Sequence, residues 1–253
     1  YLYNNEKKSA GTCRNIGLEH ATGKWIVFAD SDDYFTDSFS TAVDAWYESN
    51  ADIIYFKPTS FIRDKKTIGT RHKVYSELVE AYIHNPTRKA ELALKVNFVV
   101  PWSKMIRKEY IMKHQIQFDQ VLASNDVMFS IEAAFGTSHI QCNEECIYCV
   151  TTNRGSLMYT ADRAILDARL DVYIRQYHFL KSKLSTEEFN TLHMFGTSML
   201  KRCYFAKQNV LTILWVFFKL VKNQVKIFDT SKLHIKDVKK SINKMKNNEF
   251  YRE

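Results

Sequence analysis

Glycine and proline are scarce in this 253-residue chain, at 7 and 3. That excludes collagen-like and low-complexity classes and leaves little room for long flexible linkers. Cysteine numbers 5, an odd count without the density of a disulfide scaffold, so a reducing compartment is expected. Long hydrophobic runs are also missing. The most apolar stretch, VLTILWVFFKLV at 210–221, would reach roughly 18 Å as a helix, against a hydrocarbon core of about 30 Å. It is not expected to cross a bilayer. There is no initiator methionine, and Tyr1 opens inside what reads as a strand. The chain is therefore expected to be part of a longer polypeptide, and no signal peptide is visible.

What is present fits a soluble globular chain: 45% apolar and 25% charged residues, with aromatics at 14%. The net charge of +8 is unevenly placed. Residues 201–253 hold 13 Lys/Arg against 4 Asp/Glu, whereas residues 1–200 hold 23 against 24. The basic tail is a candidate for an anionic partner or a solvated helix face. Its cations are interleaved with a strongly apolar helix, which fits a membrane surface better than nucleic acid.

Strand-like and helical stretches alternate through the first half. Residues 24–29 read as a buried strand and 51–62 as a second, with a helix between them from Phe39 to Tyr47. VYSELVEAYIH reads as a helix stopped near Asn85 and Pro86. Residues 96–118 combine a short apolar strand with a helix from about Lys104. VLASNDVMFSIEAAF gives a loop and a helix, and HIQCNEECIYCVTTN a strand or hairpin. From about Thr160 the texture is helical only, with a capping box at Ser185 and Glu188 ahead of a helix to about Lys207. The expectation is an α/β domain over 1–157 and an all-helical, basic extension over 158–253.

The first strand ends on Asp30, Asp32 and Asp33. Extended backbone puts Asp30 and Asp32 on one side, at the carboxyl end of a strand, where open α/β sheets bind ligands. Two close carboxylates repel unless a cation lies between them. Hard oxygen ligands suit Mg²⁺ or Mn²⁺, which completes its shell with phosphate oxygens and water. The competing reading is an exposed acidic turn that caps the next helix through Asp33 or Asp37. An EF-hand loop is excluded, because Phe35 and Thr41 stand where Gly and Glu are required.

SAGTCRNIGLEHATGKWIVFADSDDYF resembles the middle of family 2 glycosyltransferases of the GT-A fold. The matching positions are Arg14, Asn15, Gly17 and Leu18, then Ala21, Gly23, Ile26 and Phe28, then Asp30, Asp32 and Asp33. Downstream, Trp102, Lys104 and Ile111 match a Trp-x-Lys segment. SNDVMF stands where the family has Glu-Asp-x-x-Phe, with Asn125 replacing the Glu. Tyr148, Arg154 and Ser156 continue the pattern.

The resemblance implies a GT-A-type mixed sheet flanked by helices, N-terminally incomplete. The family's first strand and its Asp-Asp-Gly-Ser-like turn have no counterpart in the chain. It also implies an inverting, metal-dependent transfer from a nucleotide sugar, with UDP-sugars the first expectation, to a growing surface glycan or a lipid-linked acceptor. Asp32 and Asp30 would hold the metal, Arg14 with Asp30 and Asp32 would bind the donor, and Asp126 would be the general base. Trp102, Asn125, Tyr148 and Arg154 would contact the acceptor. Asp126 reads equally as a helix N-cap, and Trp102 and Tyr148 as core. The expected location is cytoplasmic, peripheral on the inner face of the cell membrane.

Two other classes stay open at this point. A chain that keeps this fold without catalysis would bind a partner or polysaccharide. Cys142, Cys146 and Cys149 also have the spacing of the cluster loop of radical S-adenosylmethionine enzymes, and with His139 they could form a zinc set. That loop would need most of a barrel behind it, and only helical texture follows, so buried free thiols are expected instead.

Overall fold

The sheet combines long strands with strands of only two to four residues. In chain order they are β1 (Trp25–Ile26), β2 (Tyr34–Phe35), β3 (Ile53–Ile62), β4 (Thr67–Ile68), β5 (Lys104–Arg107) and β6 (Ile140–Thr152). The computed structural model that shows them describes residues 9–152 and 162–229. The sheet runs β1-β5-β3-β6-β2, with β4 hung on β3. Only β3 and β6 pair in parallel, and the remaining pairs are antiparallel. The sheet is mixed, as expected. Ile53, Ile54, Tyr55 and Phe56 of β3 are all buried, which suits a strand flanked on both edges and covered on its faces. Pro58 lies inside this central strand, next to two register irregularities against β6. A residue without an N–H is tolerated at such a break in the ladder.

The helices of this part are α1 (Ala10–His20), α2 (Phe39–Trp46), α3 (Lys73–His84), α4 (Arg88–Asn97), α5 (Lys108–Lys113) and α6 (Val127–Phe135). Helix α3 packs on β3 and β6, α2 on β6, and α4 on α3 and α6. Two expectations need correction. The strand read over 24–29 pairs only at Trp25 and Ile26. Beyond that, the Asp30 N–H is taken by the Tyr148 hydroxyl at 2.8 Å instead of by a neighbouring strand. The helix read from Lys104 begins at Lys108. Lys104–Arg107 is a strand because it fills the gap between β1 and β3, burying Met105 and Ile106. Helix α4 is an addition, started by the Thr87 side chain accepting from the Ala90 N–H at 3.3 Å.

The chain divides into two compact units, Tyr1–Val172 and Tyr173–Glu253. The boundary expected near 157 lies outside the described residues. The helical part contains α7 (Arg163–Lys183), α8 (Thr186–Thr191), α9 (Thr197–Phe205) and α10 (Val210–Lys222). Ser185 and Glu188 form the expected capping box. The single helix expected to follow is broken into α8 and α9. At the break, the Gly196 and Thr197 N–H groups donate to the carbonyls of Lys226 and Ile227, so the chain leaves the helix without stranding donors. Among the described residues no helix is long and apolar enough to cross a membrane.

One glycine ties fold to site. A Cβ at Gly11 would overlap the Asp119 carbonyl oxygen and press on Asn125 Cβ. Helix α1 can approach the 119–125 loop this closely only without a side chain there. Gly11→Ala is therefore expected to destabilise the protein by about 1–3 kcal/mol, the usual cost of overpacking. A denaturation midpoint equal to the parent's would show that the approach is not tight.

Candidate active site

Three segments meet around one guanidinium. Helix α1 supplies Arg14, the turn after β1 supplies Asp30, and the loop before α6 supplies Asn125 and Asp126. Arg14 Nη1 donates to Asn125 Oδ1 at 2.7 Å, and Arg14 Nη2 is paired with Asp30 Oδ1. The guanidinium also lies over the Phe118 ring, 5.4 Å from its centroid. Arg suits this position because its planar fork bonds two acceptors while its face stacks on an aromatic.

The loop that brings Asp126 here is clasped to α1 by a second side chain. Asn15 Nδ2 donates to the Phe118 carbonyl at 2.9 Å, and the Phe118 N–H donates to Asn15 Oδ1 at 2.8 Å. Asn15 thus imitates one step of a β-ladder from a helix. Phe118 in turn stacks on Phe129 of α6 at 3.8 Å, and Phe28 meets both rings edge-on. Just before Asn125, Ser124 sits at φ 60°, in the left-handed region.

The three aspartates have separate fates. Asp33 points inward. Its carboxylate accepts from the Tyr148 hydroxyl at 2.8 Å and from the Thr151 N–H at 2.7 Å. Burial pushes its carboxyl above the usual range, against these two donors, with Asp32 and Asp30 adding to the rise. Asp30 has one oxygen committed to Arg14. Asp32 is exposed, and its backbone is pinned: its carbonyl accepts from Thr151 Oγ1 at 2.6 Å and from Arg63 Nη2. Asp32 and Asp30 are thus the carboxylates available to a divalent ion. An Mg²⁺ or Mn²⁺ that takes one or two protein carboxylates fits this pair. Among the described residues, no three His, Cys, Asp or Glu side chains gather as a metal site.

Asp126 occupies the N-cap position of α6, but its side chain makes no capping hydrogen bond. Its carboxyl is pushed up chiefly by burial and also by Asp30, while its own N–H, Arg14 and Lys104 pull it down. The cap reading is thereby corrected: the carboxylate is not spent on the helix end. Lys104 is the residue whose role sequence reasoning passed over. It is 2% exposed, donates from Nζ to the Phe98 carbonyl at 2.7 Å, and lies over the Tyr55 and Phe98 rings at 5.2 and 4.8 Å. Burial pushes its ammonium down to about 7, against the attraction of Asp126. Its place beside Trp102 in a matched motif was the only signal for it.

The expected acceptor contacts separate. Asn125 is in the cluster. Trp102 is 1% exposed and stacks on the equally buried Tyr148, with ring centroids 5.6 Å apart. Neither ring offers a face to a sugar, because both sit in the core. Tyr148 acts instead through its hydroxyl, which bonds both Asp30 N and Asp33. Arg154 lies outside the described residues. Cys142, Cys146 and Cys149 are free thiols spaced along β6 opposite Tyr55, Lys57 and Thr59. Burial pushes the Cys142 thiol up to about 12, which disfavours the thiolate a metal would need.

A family profile, glycosyl transferase family 2, matches residues 1–115. The chain is 22% identical over 189 residues to the putative glycosyltransferase EpsH of Bacillus subtilis (strain 168), covering 73% of this chain and 54% of that protein. Its fold is similar to that of S. aureus TarS 1–349 in complex with UDP-GlcNAc, with TM-score 0.56 and 19% identity. That match covers 80% of this chain and 55% of TarS 1–349. A second crystal structure of TarS 1–349 gives TM-score 0.53 at 18% identity, covering 80% and 53%. The chain thus spans about half the length of these relatives. Residues 1–115, just under half of the chain, are similar to glycosyl transferase family 2, and the mixed sheet flanked by helices with a helical C-terminal part is similar to the GT-A-type fold of TarS.

Proposed function

We propose that this chain carries the metal-and-acceptor half of an inverting glycosyltransferase. The sugar would pass from a nucleotide donor to a growing surface glycan or a lipid-linked acceptor. The observation that carries the reading is the double engagement of Arg14 by Asp30 and by Asn125, the residue that precedes Asp126. A carboxylate with a raised pKa, beside a turn that presents further carboxylates, is what a base next to a donor diphosphate requires. In this reading Asp126 takes the acceptor hydroxyl's proton as the oxygen attacks the anomeric carbon. Arg14 and the Asp30–Asp32 turn orient the donor. Asp32 and Asp30 would hold Mg²⁺ or Mn²⁺, which when bound supplies charge neutralisation for the departing diphosphate. UDP-sugars are the first donors to test, since the structurally similar TarS is seen with UDP-GlcNAc.

Asp126→Asn tests the base. Measured on the full polypeptide that carries this chain, sugar transfer is expected to fall roughly 10²- to 10⁴-fold or more, with nucleotide binding nearly unchanged. Stability should move the other way. A carboxyl whose folded pKa is raised binds more protons in the native than in the unfolded state. Stability therefore falls as pH rises through that window, and the cost persists above it. Asp126→Asn removes the cost without losing a cap bond. It is expected to be at least as stable as the parent at neutral pH, the gap closing towards about pH 4. Transfer at the parent rate would remove Asp126 from the mechanism.

Asp32→Ala tests the clamp. Its side chain is exposed, so the variant should keep the parent's circular dichroism. It should also lose Mn²⁺ binding measured with nucleoside diphosphate present. Retained Mn²⁺ affinity in the folded variant would place the ion elsewhere.

The reading extends to peripheral association with the inner face of the cell membrane. On α10, Val210, Leu211, Leu214, Phe218 and Val221 are exposed, Leu211 to 78% and Phe218 to 63%, while Val216 and Leu220 are buried. Lys219 and Lys222 lie in the last turn. An apolar arc with cations at its end suits an anionic interface. The chain is expected to float with phosphatidylglycerol vesicles at low salt, and Leu211→Ser/Phe218→Ser to float less. No flotation at low salt would assign this face to another partner.

A further inference from the structure

Residues 30–33 belong to no strand, so no ladder fixes the aspartate turn. One backbone bond closes it, from the Asp33 N–H to the Asp30 carbonyl at 3.1 Å. Two residues of β6 then hold it at three positions. The Asp30 N–H donates to the Tyr148 hydroxyl at 2.8 Å, and that hydroxyl donates to Asp33 Oδ2 at 2.8 Å. The Thr151 N–H donates to Asp33 Oδ1 at 2.7 Å, and Thr151 Oγ1 donates to the Asp32 carbonyl at 2.6 Å. Both oxygens of the Asp33 carboxylate are therefore engaged by β6, while its neighbour Asp32 is exposed.

The hydroxyl that does most of this is itself immobile. Tyr148 is wholly buried. Trp102 stacks on its ring with centroids 5.6 Å apart and planes 12° from parallel. Phe35, its partner across the β2–β6 pairing, meets the ring edge-on at 5.6 Å. A ring packed on two sides cannot follow a turn that shifts, so the turn must conform to the hydroxyl. A phenolic oxygen can donate one bond and accept another, and here it does both. A phenyl ring in its place would leave the Asp30 N–H and one Asp33 oxygen without these partners, at a depth where lost hydrogen bonds are costly.

We propose that Tyr148, Thr151 and Asp33 are positioning residues for the divalent ion: Asp33 is the turn's anchor and not a ligand, and the two β6 residues set how well Asp30 and Asp32 hold the metal. The inference rests on the reading of Asp30 and Asp32 as the metal's carboxylates, and it adds what fixes them in place. Groups that orient a metal's ligands from behind govern affinity without touching the ion. If Asp33 were instead a ligand, the opposite would follow. Freeing it from Tyr148 would then keep or strengthen metal binding.

Tyr148→Phe and Thr151→Val each remove one hydroxyl and nearly keep the side chain's shape. The full polypeptide that carries this chain is titrated with Mn²⁺ in the presence of UDP. Each variant is expected to bind the ion about 10- to 100-fold more weakly than the parent. Tyr110→Phe is the control, since the Tyr110 hydroxyl is bonded to the Ala133 carbonyl of α6 at 2.6 Å and not to the turn. It is expected to keep the parent's Mn²⁺ affinity. A second arm omits metal and follows amide hydrogen exchange over residues 28–35. Exchange there should be faster in Tyr148→Phe and unchanged in Tyr110→Phe. Parent affinity in both β6 variants would overturn the proposal, as would unchanged exchange at the turn in Tyr148→Phe. An equal loss of affinity in Tyr110→Phe would also overturn it, because general loosening would then explain the effect. Parent affinity in Asp32→Ala fails the clamp itself, whereas the metal-free exchange reads the anchor alone, so the two failures are distinct.

Discussion

The site depends on one cation holding apart and together what would otherwise repel. Asp30 and Asp126 come from segments nearly a hundred residues apart, and Asp30 raises the cost of ionising Asp126. Arg14 pairs with Asp30, bonds Asn125 beside Asp126, and lowers the cost of charge on Asp126. A lysine could offset charge but could not bond two acceptors in one plane while stacking on Phe118. The guanidinium needs a fixed base, and α1 provides it through residues one turn or less away. Gly11 admits the 119–125 loop, and Asn15 locks the backbone of Phe118.

Three aspartates in four positions are tolerable because their environments differ. Asp33 is drawn in by a hydroxyl and an N–H, Asp30 is paired, and Asp32 faces water. Thr151 serves two of them at once, its N–H bonding the Asp33 carboxylate and its hydroxyl bonding the Asp32 carbonyl. The parallel pairing of β6 with β3 sets where Thr151 falls, so the register of a strand far downstream determines the shape of the acidic turn. A one-residue slip would turn Tyr148 and Thr151 to the opposite faces and leave Asp33 without partners.

Much of this was legible in the sequence, and the limits have physical causes. β3, β6, α6, α10 and the Ser185 capping box were readable because each is specified by its own residues: apolar runs, periodicity, or a polar pair at fixed spacing. β1 and β5 were not, since a two- or four-residue strand is defined by the neighbour it pairs with. The acidic cluster was visible as a motif, but its division of labour was not. The partners of Asp33 lie 115 and 118 positions away. Trp102 and Tyr148 illustrate the converse. Aromatic residues in a matched motif invite a sugar-stacking role, yet here they stack on each other and reach the site through one hydroxyl.

Lys104 and Asp126 show how burial couples structure to chemistry. The same loss of water raises the carboxyl and lowers the ammonium, while their mutual attraction opposes both shifts. Asp126 is made a better proton acceptor, and Lys104, pushed down to about 7, does not hold its charge firmly. The Phe98 carbonyl and two aromatic faces favour the charged form of the ammonium, which in turn favours the ionised form of the carboxylate. A base must be ionised before it can act and must bind a proton readily once it does. Desolvation raises the Asp126 carboxyl while Arg14 and Lys104 pull it down, so packing alone sets these opposing pulls on the group proposed as the base.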